Sequence, residues 1–272
     1  FFWTTTHLFP DTLFVGGVVL FVFLCMDIVL HRREGGLRKM KDPTPDSRVR
    51  LRGLANLPLL AGVIGAILMS AYWKPGVSLT IMGVAVELQN LVRDVVIIAL
   101  ALLSLALTRK EYRAANGFNW GPIKEVAKLF VAIFICIVPV VAILQAGSQG
   151  ALAPLVALVT RPDGQPNDLA YFWLTGVLSS FLDNAPTYLV FFELAGGDPA
   201  HLMTEMASTL AAISAGAVFM GANTYIGNAP NFMVYAIARH QGVRMPSFFG
   251  YMAWSGVVLI PTFVVSSLIF FR

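Results

Sequence analysis

Ser179-Ser180-Phe181-Leu182-Asp183-Asn184-Ala185-Pro186-Thr187-Tyr188 and Gly221-Ala222-Asn223-Thr224-Tyr225-Ile226-Gly227-Asn228-Ala229-Pro230-Asn231-Phe232 are two polar interruptions in an otherwise apolar sequence, and each carries Asn-Ala-Pro. Backbone groups freed by such a break cannot stay unsatisfied in hydrocarbon. Broken helices therefore persist only inside protein or beside a watery cavity, which makes a pair of breaks the mark of a binding site. Proline at the first helical position sacrifices no hydrogen bond, so half-helices are expected to start at Pro186 and Pro230, capped by Asn184 and Asn228. Half-helix N-termini carry partial positive charge and C-termini partial negative charge. Two breaks that meet near a bilayer midplane thus hold an anion and a cation together.

The surrounding composition supports that setting. The 272 residues are 57% hydrophobic and 12% charged, against about 25% charged in a soluble domain. An all-α membrane protein follows. Apolar runs long enough to span recur at 12–30, 54–73, 91–108, 126–146 and 248–271. Cys25 and Cys136 lie far apart inside such runs and read as packing residues. His7, His31, His201 and His240 have no spacing suited to a shared metal. No Ser/His/Asp set, P-loop or dinucleotide fingerprint is present, so the chain reads as a non-enzyme without cofactor. The net charge of +4 is confined to loops, which points to membrane topology and not to a nucleic-acid partner.

The loop 31–53 holds Arg32, Arg33, Arg38, Lys39, Lys41, Arg48, Arg50 and Arg52 and is expected on the cytoplasmic side. The stretch 168–197 is apolar but broken at its centre, and an arm of roughly 14 residues reaches only about 21 Å against a core near 30 Å. A single crossing there would put Arg239 and Arg244 outside, whereas a re-entrant hairpin keeps them inside. The hairpin is preferred. The next segment, 203–240, would be about 57 Å as one helix, so it reads as a discontinuous helix interrupted at 221–231. The final span, 248–271, then leaves the C-terminus outside.

Candidate ion or substrate ligands are drawn from both breaks. Asp183 is the carboxylate placed near mid-membrane, where ionisation is costly unless it is paired, hydrated or cation-bound, and it reads as a group alternating between a proton and Na⁺. Asn184, Asn223 and Asn228 join it as Na⁺ candidates. Ser180 and Thr187 add hydroxyl oxygens at the first break, and Thr224 and Gly227 add polar or small positions at the second. Pro186 and Pro230 open the half-helices that face the substrate.

These same stretches resemble the ion transporter superfamily, in its citrate-transporter or sodium:proton-antiporter branch. The resemblance implies two inverted repeats, each with a scaffold, a re-entrant hairpin and a discontinuous helix, and it makes this chain the second, C-terminal repeat. It implies a linker at 1–11, scaffold helices at 12–146, and a transport domain at 147–272 holding the hairpin 168–197, the broken helix 203–240 and the last span. The expected partners are the lipid bilayer, a small ion or carboxylate, the missing N-terminal repeat and a second copy in a homodimer. The expected location is a bacterial-type inner membrane. Dicarboxylate-moving relatives carry a neutral Ser-Asn-Thr tip, and Asp183 departs from it. A fixed negative charge favours cation or proton exchange, so Na⁺/H⁺ antiport by alternating access is the leading expectation, with Na⁺ and H⁺ as coupling ions. The alternatives are Na⁺- or H⁺-coupled citrate or carboxylate transport, and a non-transporting membrane subunit.

Overall fold

The computed structural model describes residues 2–33, 53–81, 84–146, 149–240 and 242–272. Its elements in chain order are α1 (Phe2–Arg33), α2 (Asn56–Tyr72), β1 (Ser78–Ile81), β2 (Val84–Glu87), α3 (Leu88–Leu107), α4 (Lys110–Ala115), α5 (Gly121–Gln145), α6 (Ala153–Val159), α7 (Asp168–Ser179), α8 (Asn184–Leu194), α9 (Pro199–Thr204), α10 (Ala207–Phe219), a 3-10 turn (Met220–Asn223), α11 (Ala229–His240) and α12 (Phe248–Phe270). Among the described residues α1, α3 and α12 are long and apolar enough to cross a membrane. The expected loop at 31–53 lies almost wholly outside the described residues.

The chain divides into two compact units, one joining α1 to Ala127–Arg272 and the other formed by Met40–Val126. The first helix therefore groups with the two breaks. Residues read as a linker, 2–11, are helical and continuous with the first span.

In the smaller unit α2 packs against α3, and a polar clamp joins their ends. Asn56 Nδ2 donates to Thr108 Oγ1 at 2.9 Å, and Ser104 Oγ donates to Asn56 Oδ1 at 2.8 Å. The antiparallel pair β1–β2 is unforeseen in the sequence reading, which treats that stretch as a plain loop.

In the larger unit α10 is the centre. Every residue from Thr209 to Ala217 is buried, and α7, α8, α9 and α1 all pack on it. Such all-round burial demands small side chains, which the run Ala211-Ala212-Ile213-Ser214-Ala215-Gly216-Ala217 supplies. The α7–α10 crossing is closest at Gly176 and Gly216: a Cβ on Gly216 would run into the Phe172 carbonyl, and one on Gly176 into the Met220 side chain. Asn167 caps α7 by accepting from Ala170 N at 3.2 Å, while Asp168 accepts from Thr209 Oγ1 on α10 at 2.6 Å.

Helices α7 and α8 double back on one another. Tyr171 near the start of α7 meets Phe191 near the end of α8, with ring centroids 6.4 Å apart, and Ser179 meets Asn184 at the opposite end. At about 1.5 Å per residue each arm is under about 20 Å long, too short for the hydrocarbon core. The segment 203–240, expected as a discontinuous helix, holds several elements. Residues 203–204 belong to α9, and the axis of α10 begins at Ala207.

The glycine crossing yields a stability test. Gly216→Val should cost about 1–3 kcal/mol through overpacking against backbone that cannot yield, read as a lowered unfolding midpoint in detergent. Gly17→Val, where an added Cβ meets nothing within 4 Å, should leave that midpoint nearly unchanged.

Candidate functional site

Between α7 and α8 the chain passes through Ser180 to Asp183, and between α10 and α11 through the 3-10 turn and on to Asn228. Side chains stitch the two passages together. Ser180 Oγ lies 2.8 Å from Gly176 O and 3.0 Å from Met220 O, and Asn223 Nδ2 donates to it at 3.0 Å. Thr224 Oγ1, fully buried, donates to Ser180 O at 2.6 Å. Ser255 on α12 donates to Asn223 O at 2.6 Å, and Asn231 Nδ2 to Gly221 O at 3.2 Å. Carbonyls at the two breaks are thereby paired by hydroxyls and amides.

The two Asn-Ala-Pro motifs are not structurally equivalent. Asn228 caps α11 as expected, its Oδ1 accepting from Asn231 N at 2.9 Å. At α8 the cap is Asp183, which accepts from Ala185 N at 3.2 Å. The expectation that Asn184 caps is corrected: α8 begins one residue earlier relative to its motif, so Asn184 is already helical and the preceding carboxylate takes the free N–H. The prolines shift likewise, to third place in α8 for Pro186 and second in α11 for Pro230. Both still lie in a first turn, where the missing N–H has no helical partner to lose.

Released from capping, Asn184 turns inward. Ser179 Oγ donates to its Oδ1 at 2.9 Å, sharing one proton with Ala217 O at 2.5 Å. Asn184 and Asn228 both close on Gly221, where an added Cβ would collide with the first and lie 3.2 Å from the amide of the second. Gly227 in turn sits against the carbonyls of Gly221 and Ser179. Hence Asn184, Asn228 and Gly227 come together around Gly221, and Ser180, Asn223 and Thr224 form an adjoining cluster. Asp183, Thr187, Pro186 and Pro230 make no hydrogen bond to the opposite break among the described residues.

Buried oxygen atoms at the breaks keep free lone pairs. Asn223 Oδ1 and Thr187 Oγ1 are buried with no hydrogen-bond partner among the described residues. Ser180 and Ser179 each hold a single proton against two acceptors. No cationic side chain belongs to either cluster, so the chemistry suits a cation bound by neutral oxygens. Asp183, only partly buried, adds a carboxylate at the tip. Ser255 and the ring set of Tyr225, stacked on Tyr235 at 4.2 Å and edge-on to Phe248 and Tyr251, were not singled out from sequence. The aromatic residues that follow the second break are the signal for the ring set, and no local pattern points to Ser255.

A family model described as "Putative citrate transport" matches residues 1–271. No curated protein and no solved structure matches the chain.

If Ser180 and Asn223 act as one hydrogen-bonded unit, Ser180→Ala should cost about 1–3 kcal/mol by leaving a buried amide without its acceptor. The double variant with Asn223→Ala should then be less destabilised than the sum of the singles by roughly 0.5–3 kcal/mol. Additive losses in detergent unfolding would show that the two breaks are not coupled through this bond.

Proposed function

Since the chain belongs to this citrate-transport family, we propose that it is the substrate-carrying part of a cation-coupled transporter of citrate or a similar carboxylate, with α7–α8 as a re-entrant hairpin. The observation that carries this reading is the pair of unequal helix N-termini at one oxygen-rich centre. The N-terminus of α8 already holds an anion, the Asp183 carboxylate. The N-terminus of α11 is capped by the neutral Asn228 and keeps its partial positive charge.

Each half then has its own task. The anionic substrate docks at the start of α11, where Asn228, Gly227 and Pro230 shape the approach. Na⁺ is held by the oxygen cluster of Ser180, Asn223, Thr224 and Asn184, with Thr187 supplying a further free hydroxyl. A cation bound there offsets the charge of an incoming carboxylate, so each ligand raises the affinity for the other, and that mutual effect is reciprocal by linkage.

Asp183 also favours a second reading, Na⁺/H⁺ antiport. Its carboxylate is partly buried, and its described hydrogen bond is the one from Ala185 N, so a proton and Na⁺ could compete for it. In that case no carboxylate substrate is required.

Proteoliposomes containing the protein separate the two. Labelled citrate uptake driven by a Na⁺ gradient should fall about tenfold or more in Asn228→Ala, and Asn223→Ala should raise the Na⁺ requirement by a similar factor. Absence of citrate uptake together with Na⁺-driven proton movement abolished by Asp183→Asn would replace the first reading with the second.

A further inference from the structure

A second carboxylate lies inside the larger unit, at the other end of α10, and the chemistry above does not use it. Asp11 is only 3% exposed within the long apolar helix α1. Among the described residues it has no hydrogen-bond or ion-pair partner. It lines a cavity of about 290 Å³ together with His7, Ser208, Ala211, Phe270 and Phe271. His7, one turn earlier, makes no ion pair with it among the described residues. The ring of His7 is stacked on Trp3 at 4.3 Å and its Nδ1 is 2.9 Å from Trp3 O.

A buried, unpaired carboxylate in an apolar helix is expensive unless something compensates it, and such groups mark ion sites by default. A bound cation is the compensation that the neighbouring oxygen atoms suit. Pro10 lies inside α1 and lines the cavity, and it has no N–H to offer the carbonyl one turn earlier. Helix α12 ends at Phe270, so its last carbonyls, unpaired within the helix, present partial negative charge beside Phe271. Ser208 adds a hydroxyl. A carboxylate, freed carbonyls and a hydroxyl are the oxygen ligands a hard cation takes. On the far side α10 opens at Ala207 without a side-chain cap, and its free N–H groups suit the Asp11 carboxylate itself.

We propose that Asp11 and the end of α12 form a second Na⁺-binding site, about 20 Å along α10 from the helix breaks at its 1.5 Å rise per residue. The site differs from the one at the breaks in having a formal negative charge at its heart. It is bracketed by one helix start and one helix end, and it needs no part of either Asn-Ala-Pro motif.

The test is a Na⁺ titration of the purified full chain in detergent, at constant ionic strength held with choline chloride, read by unfolding midpoint and by ²³Na NMR relaxation. In an Asn223→Ala background, which removes the contribution of the breaks, a Na⁺ response should remain. Adding Asp11→Asn should weaken that remaining response about tenfold or more. Asp11→Glu, which keeps the charge on a longer arm and serves if the asparagine variant does not fold, should retain binding with its half-saturation shifted about threefold or more. An Asp11→Asn or Asp11→Glu titration within about twofold of its parent overturns the proposal, as does the absence of any Na⁺ response once Asn223 is replaced.

Discussion

The backbone groups released where α7 gives way to α8 and where α10 gives way to α11 impose the terms on which the larger unit is built. In an apolar chain those carbonyls and amides have no water to fall back on. They are answered by side chains: the Met220 carbonyl by Ser180, the Ser180 carbonyl by Thr224, the Asn223 carbonyl by Ser255, the Gly221 carbonyl by Asn231. Such short polar side chains reach only if the backbones come very close. Gly176, Gly216, Gly221 and Gly227 allow that approach, and the small-residue run of α10 lets the doubled-back pair α7–α8 lie directly on it. Packing and polar satisfaction are thus a single requirement, and a bulkier residue at the crossing would undo both.

Much of this was legible in the residues. Proline and asparagine inside apolar runs announce a break, and the two short arms read from the stretch 168–197 match the short helices α7 and α8. The registers of the two breaks were less accessible. Identical Asn-Ala-Pro motifs suggested identical caps, but Asp183, one place before Asn184, accepts from Ala185 N with its carboxylate and from Thr187 N with its carbonyl, whereas Gly227 before Asn228 has no side chain to act as a cap. The partners of the breaks lie far away in sequence, as with Ser255 and Asn223, and no local pattern discloses them. Asp11 is a similar case. A polar residue at the edge of an apolar run looks interfacial until α1 is seen to continue to Phe2 and to pack its first turns against α10 and α12.

The inequality of the caps gives the centre a polarity that the repeated motif conceals. One half-helix begins with a carboxylate of its own and the other with a neutral amide. The two Asn side chains that would have matched instead meet over Gly221, where there is room for their amides because there is no Cβ. A chain with two equal tips would bind like charges at both. Here one tip carries a formal negative charge of its own and the other does not.

Ser180 holds one proton between the carbonyls of Gly176 and Met220, and that makes it a two-position rotor. Turning the O–H toward one carbonyl exposes the other, and the lone pairs change direction without any movement of the main chain. Hydroxyl rotation of this kind belongs to picoseconds or nanoseconds, whereas sliding of packed helices takes microseconds to milliseconds. Reorientation of this hydroxyl and sliding of the helices around it are therefore separable in time, the first settled by a torsion angle long before the second begins.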